Sequence, residues 1–186
     1  TIMFANRPLF GNREGSIEFI VTDQDTPWDV IYSNISNYLH GRQMKAVLED
    51  DPEFYYEGRF SVNKWSSNAY FSTIVIDYSV FPYKKQVTGT VDEWLWDPFS
   101  FETGVINYTK NLVVNGSLVV EIDGLPQPIT PTFTASAPMS VVFNGLSYDI
   151  PEGFSIVHDI VVYEGLNTFT FNGNGIVTLD YRGGSL

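Results

Sequence analysis

The densest set of side chains able to do chemistry is acidic: Glu49, Asp50, Asp51 and Glu53 in one run, with Glu57 close behind. Two carboxylates at a fixed separation could hydrolyse a glycosidic bond, and several oxygens together could hold calcium. The run surrounds Pro52, however, and acidic residues beside a proline are ordinary turn formers. It also lacks the spaced Asp/Asn ligands and the closing Glu of a calcium loop, so it reads as a hairpin turn. The two histidines, His40 and His158, stand far apart in sequence and fall in different expected domains, which argues against a metal pair. His40 falls at the end of a predicted helix, where a cation complements the helix dipole. There is no cysteine, hence no thiolate ligand, no cysteine nucleophile and no disulfide framework. A Gly-x-Ser-x-Gly elbow, a Lys-bearing phosphate loop and a His-Glu-x-x-His helix are all missing. Asn172-Gly173-Asn174-Gly175 is glycine-rich but lies between β segments and reads as a turn. The sequence thus nominates no catalytic, cofactor-binding or metal-ligating residue, and the expectation is a protein that is not an enzyme and carries no cofactor.

What must be positioned is therefore apolar. Of 186 residues, 44% are hydrophobic, with 14 Phe, 11 Tyr and 4 Trp, enough to build real cores. The formal charge of −12 has the wrong sign for gripping a phosphate backbone, so sequence-specific nucleic-acid binding is not expected. No stretch approaches the roughly 20 apolar residues of a membrane helix, and the start lacks a signal-peptide pattern. A soluble protein with no membrane partner is expected.

The pattern along the chain is mostly β. Residues 16 to 21 alternate as a strand. Thr26 is expected to cap a helix whose first turn holds Pro27 and Asp29, whose stripe is Trp28, Ile31, Ile35 and Leu39, and which Gly41 ends. Met44 to Leu48 and Phe54 to Val62 read as a hairpin, and Tyr70 to Val80 as a further strand. Residues 1–88 thus form an α+β unit, strands with one helix. Residues 89–106 read as an ordered aromatic junction, because Trp94, Trp96, Phe99 and Phe101 are costly to leave in water. They are the candidates for packing between domains. Residues 107–186 show only β signals. Asn115-Gly116, between apolar runs, predicts a hairpin turn. Turns at Asn144-Gly145, Glu164-Gly165 and Asn172-Gly173 space strands at Ser140 to Phe143, Ile160 to Tyr163, Thr168 to Phe171 and Gly175 to Tyr181, which suggests a β-sandwich.

Two sets of motifs go beyond composition. One comprises Gly15-Ser16-Ile17-Glu18-Phe19-Ile20-Val21, Asn37-Tyr38-Leu39-His40-Gly41, the run from Asp51 to Val62, and Trp94-Leu95-Trp96-Asp97-Pro98-Phe99. The other is the ending, from Asn167 through Gly175 and from Asp180 to Leu186. Together, in this order, they resemble the distal tail protein family of long, non-contractile-tailed phages and prophages of Gram-positive bacteria, over nearly the whole chain. The resemblance implies an N-terminal belt domain that forms a homo-hexameric ring at the end of the tail tube, and a galectin-like β-sandwich facing outward. It implies a hub that joins the tail tube protein to the tail-tip or tail-associated protein, and in some phages also carries the receptor-binding protein. Such a protein is assembled in the bacterial cytoplasm and resides in the virion tail. The family has more residues before Gly15 than stand here, so the belt is expected to be short of them. Candidate ring-interface strands are those of Ile17, Phe19 and Val21 and of Ile74 and Ile76, paired or packed against the neighbouring copy. An acidic lumen that repels DNA is expected, with Arg42, Lys64, Lys84 and Lys85 away from the axis.

The alternative is a carbohydrate-binding β-sandwich module for attachment to the host surface. It is disfavoured because the sandwich segment has no Trp and no cluster of aromatic and polar residues that reads as a groove. A glycoside hydrolase ranks last, since no carboxylate pair can be nominated.

Overall fold

The computed structural model describes residues 2–4, 7–23, 25–67, 71–92 and 108–186. Among these the chain is mostly β with one helix, arranged in antiparallel sheets of which one is strongly curled. It divides into two compact units, Thr1–Val47 with Tyr55–Lys84, and Leu48–Phe54 with Lys85–Leu186.

The first unit opens with a hairpin of β1 (Ile2–Phe4) and β2 (Arg7–Leu9). β3 (Arg13–Val21) precedes the helix α1 (Trp28–Leu39), and β4 (Gln43–Leu48), β5 (Asp51–Ser67), β6 (Ser72–Val80) and β7 (Lys84–Gln86) follow, of which the last residue of β4, the start of β5 as far as Phe54 and β7 from Lys85 belong to the second unit. The helix starts one residue later than expected. Asp23 Oδ1 accepts the backbone amides of Asp25 at 2.9 Å and Thr26 at 3.2 Å, and these bonds hold its carboxyl below the usual range. Pro27, not Thr26, takes the N-cap position, with no side-chain cap, and its carbonyl accepts Val30 and Ile31. At the other end His40, rather than Gly41, is the C-cap, in the left-handed conformation with its amide on Ser36. The stripe faces the sheet as its spacing demands. Ile35 and Leu39 pack with Met44, Phe60, Val62, Ile76 and Val80, and Trp28 and Tyr32 lie against Trp65.

The second unit holds β8 (Leu112–Gly124), β9 (Thr132–Ala135), β10 (Met139–Phe143), β11 (Leu146–Ile150), β12 (Gly153–Ile156), β13 (Gly165–Asp180) and β14 (Gly184–Ser185). Asn144-Gly145 is a two-residue turn, with both residues at positive φ between the closing pair Phe143 and Leu146. The expected Asn115-Gly116 and Asn172-Gly173 turns are not turns. β8 and β13 run through both dipeptides as one continuous ladder, in which Gly116 pairs with Gly173 and Asn115 with Asn174. On its other side β13 pairs first with β10 and then, past Gly173 and Gly175, with β9. Those glycines, at φ 148° and 144°, are the corner where the strand passes from one half of the sheet to the other. The predicted strands Thr168 to Phe171 and Gly175 to Tyr181 are therefore one bent strand, and Ile160 to Tyr163 contributes only the bridge Ile129 to Val162.

The curl closes alternate residues of each strand onto one core. Phe133, Phe169, Phe171, Val141, Val177 and Leu179 are fully buried there, each full burial worth about 2–3 kcal/mol. Polar bonds fix its margin. Tyr181 is buried, and its hydroxyl accepts the Leu125 amide at 2.9 Å. Thr90 and Thr109 both donate to the Leu179 carbonyl, and the Thr109 amide bonds Thr90. Thr90 and Thr109, far apart in sequence, thus meet at one hydrogen-bonded point of the second unit. Trp94, Trp96, Phe99 and Phe101 lie outside the described residues.

Candidate assembly surface

In the first unit, β3 pairs with β6 from Arg13↔Val80 to Val21↔Ser72, and β5 pairs with the other side of β6 from Gly58↔Val80 to Ser67↔Ser72. Both edges of β6 are therefore used within the chain. Ile74, 1% exposed, and Ile76 therefore offer no edge for a neighbour's strand to pair with, which corrects the pairing half of the expectation for that strand. β3 differs. It pairs only with β6, so among the described residues its outer edge is free.

Directly opposed residues share a face, so Ile17 and Phe19 stand on the helix side with Ile76 and Ile74. The helix covers them only in part. Phe19 is 46% exposed, and an open groove of about 680 Å³ runs between α1 and β3, lined by Phe19, Val21, Ile35, Tyr38, Leu39 and Ile74. On the helix-free face of β3 stand Glu14, Ser16, Glu18 and Ile20, the last 65% exposed.

The second free edge is β4, which pairs only with β5 among the described residues. Sequence reasoning found the strand but not its edge status, which depends on the β5 pairings. Met44 and Ala46 pack toward the helix, so Lys45 and Val47, the latter 54% exposed, stand on the other face. Lys45 Nζ lies 4.5 Å from the ring centroid of Tyr55, which steadies it. Each edge thus offers apolar residues on the helix side; on the free face β3 carries Glu14 and Glu18 with Ile20, and β4 carries Lys45 with Val47. The charges are opposite: Glu18 on β3, Lys45 on β4.

No protein-family model matches the chain, and no curated protein matches it.

The remaining candidates do not converge. The acidic run forms the turn at Glu49 and Asp50 and the start of β5, and Glu57 Oε1 accepts from Gln43 at 2.8 Å. Among the described residues no three His, Cys, Asp or Glu side chains are placed to hold a metal ion. His40 and His158 belong to different units. The helix-free face of the first sheet is of mixed sign, with Glu14, Glu18 and Asp77 beside Lys45, Arg59 and Lys64. No described helix is long and apolar enough to cross a membrane.

The second unit carries a cluster that sequence reasoning missed. Phe154, 66% exposed, lies opposite Thr134, which lies opposite Thr178. The Thr178 hydroxyl accepts the Asn111 amide at 2.9 Å. In the next row Ile156, Thr132 and Asp180 align, and desolvation, with Asp92 adding to it against Arg182, raises the Asp180 carboxyl above its ordinary range. Only the pairing of three strands brings these residues together.

Proposed function

We propose that the chain is a structural hub of a long phage tail, a ring-forming adaptor between the tail tube protein and the tail-tip components. Its first unit is the belt and its second a galectin-like β-sandwich. The motifs that resemble the distal tail family support this reading, and one structural observation carries it: among the described residues the first sheet has two free edges, with opposite charges at Glu18 and Lys45. Across the sheet β3, β6, β5 and β4 alternate in direction, so β3 of one copy set beside β4 of the next continues an antiparallel sheet. Ile17 and Phe19 then extend the apolar face of Met44 and Ala46, while Glu18 and Ile20 meet the face of Lys45 and Val47. Such a contact is head to tail. It uses different surfaces on the two copies, and it closes into a ring when the rotation between copies closes. The six-fold count rests on the resemblance. Native mass spectrometry at micromolar concentration tests the reading: six copies are expected, and a strict monomer even with the tail-tip protein added would overturn it.

The row of Phe154, Thr134, Thr178 and Asn111 favours a second reading, attachment to cell-surface carbohydrate. An exposed ring can stack on a sugar face while hydroxyl and amide groups bond its hydroxyls. Glycan-array binding abolished by Phe154→Ala would support it, and the absence of binding by the intact chain would remove it.

A further inference from the structure

Four Asn-Gly pairs occur in the second unit, at Asn115, Asn144, Asn172 and Asn174, and the fold places them in opposed environments. We infer that Asn144 is a site of spontaneous deamidation and that the other three are protected by the β8/β13 ladder. The Gly145 amide nitrogen attacks the Asn144 side-chain carbonyl carbon, loses its proton, and expels the side-chain nitrogen as ammonia. Water then opens the resulting succinimide at one of its two carbonyls, leaving aspartate or isoaspartate. No oxidant, metal or enzyme is required. The step needs a side chain free to turn onto the next amide, a backbone free to rotate between them, and a glycine without a Cβ in the way.

Asn144 meets the first and third conditions, and only a two-residue turn restrains its backbone. It lies with Gly145 in an exposed two-residue turn, at φ 51° and 79°, and open space surrounds the Cα of Gly145. Neither the Asn144 side chain nor the Gly145 amide bonds another described residue. The other three do not meet them. The attacking nitrogen for Asn115, that of Gly116, already donates to Asn174 Oδ1 at 3.1 Å, and this bond also holds the Asn174 side chain. Asn172 pairs with Ser117 on one side and Ser140 on the other, and Gly173 after it is packed against Met139. Cyclisation at any of these must first open the long β8/β13 ladder, whereas Asn144 need only distort a turn.

The product carries one more negative charge. Its isoaspartate form adds a methylene to the backbone of a turn whose closing pair is Phe143 and Leu146, so the β10/β11 hairpin should loosen. The test is incubation of the folded full chain at neutral pH in ¹⁸O-water, followed by peptide mapping and isoaspartyl methyltransferase labelling. Asn144 should be modified first, roughly tenfold or more faster than each of the other three, with one ¹⁸O taken up. In denaturant the four rates should draw together. Modification of Asn115, Asn172 or Asn174 as fast as Asn144 in the folded chain would overturn the inference. So would an Asn144 that stays intact in the folded chain while all four react in denaturant.

Discussion

Replacement of Gly173 by Ala should be far more costly than the same change at Gly116, although the two are direct partners in one ladder. At Gly116, φ is 79° and an added Cβ would meet nothing within 4 Å, so the cost is the left-handed backbone alone, roughly 1–2 kcal/mol. At Gly173, φ is 148°, in a region only glycine populates readily, which costs about 1–3 kcal/mol. An added Cβ there would also lie 2.8 Å from the Cβ of Met139, backed by the Met139 backbone at 3.3 Å, and overpacking adds about 1–3 kcal/mol. The sum is roughly 2–6 kcal/mol, or a fall in Tm of about 4–24 °C for a chain of this size. Urea unfolding of the two variants beside the parent reads the difference. Were Asn172-Gly173 a solvent-facing hairpin turn, its Cβ would be as free as that of Gly116. A Gly173→Ala variant no less stable than Gly116→Ala would therefore refute the corner.

Three further outcomes follow from the second unit and the edges. Asn167→Ala should destabilise by about 2 kcal/mol in thermal unfolding, because it removes three hydrogen bonds of a buried side chain, to the Tyr163 amide and to the carbonyls of Tyr163 and Gly165. Burial raises the Tyr181 phenol above its ordinary value, more than the Leu125 bond lowers it. Its contribution should be intact below the unfolded value, about pH 10, and lost as pH rises through the folded one, and the high-pH decline should be smaller in Tyr181→Phe. Glu18→Lys should weaken self-association and the added change Lys45→Glu should restore it, each contact shifting by roughly 0.2–1 kcal/mol in analytical ultracentrifugation. A double variant no better than the single one would remove that pairing.

Features set by neighbours in sequence were legible in it. The helical stripe of Trp28, Ile31, Ile35 and Leu39 needs only its own spacing, and the Asn144-Gly145 turn joins residues that pair with each other. Features set by distant partners were not. Positive φ at glycine serves a turn and a corner equally, and only the pairing of Gly116 with Gly173 decides between them. Asp23 displaced Thr26 as the organiser of the helix start because its carboxylate captured the Thr26 amide, a competition that the capping pattern does not reveal. The edge of β4 was invisible for the same reason as the Phe154 row, since an edge is defined by which strands fail to pair with it, and for the same reason the sequence could not tell β3, an edge, from β6, which is paired on both sides.

The central claim is that copies join head to tail through β3 of one and β4 of the next. It is tested most directly by mixing two variants, each blocked at one edge: Ile20→Lys on β3 and Val47→Lys on β4. Both positions are largely exposed, so the fold of each variant should be kept. Native mass spectrometry should find each variant monomeric alone and the equimolar mixture as a one-to-one dimer that grows no further, since one intact β3 meets one intact β4 and the remaining edges are closed. Rings that persist in either variant alone, or a mixture that stays monomeric while the parent chain forms rings, would contradict it.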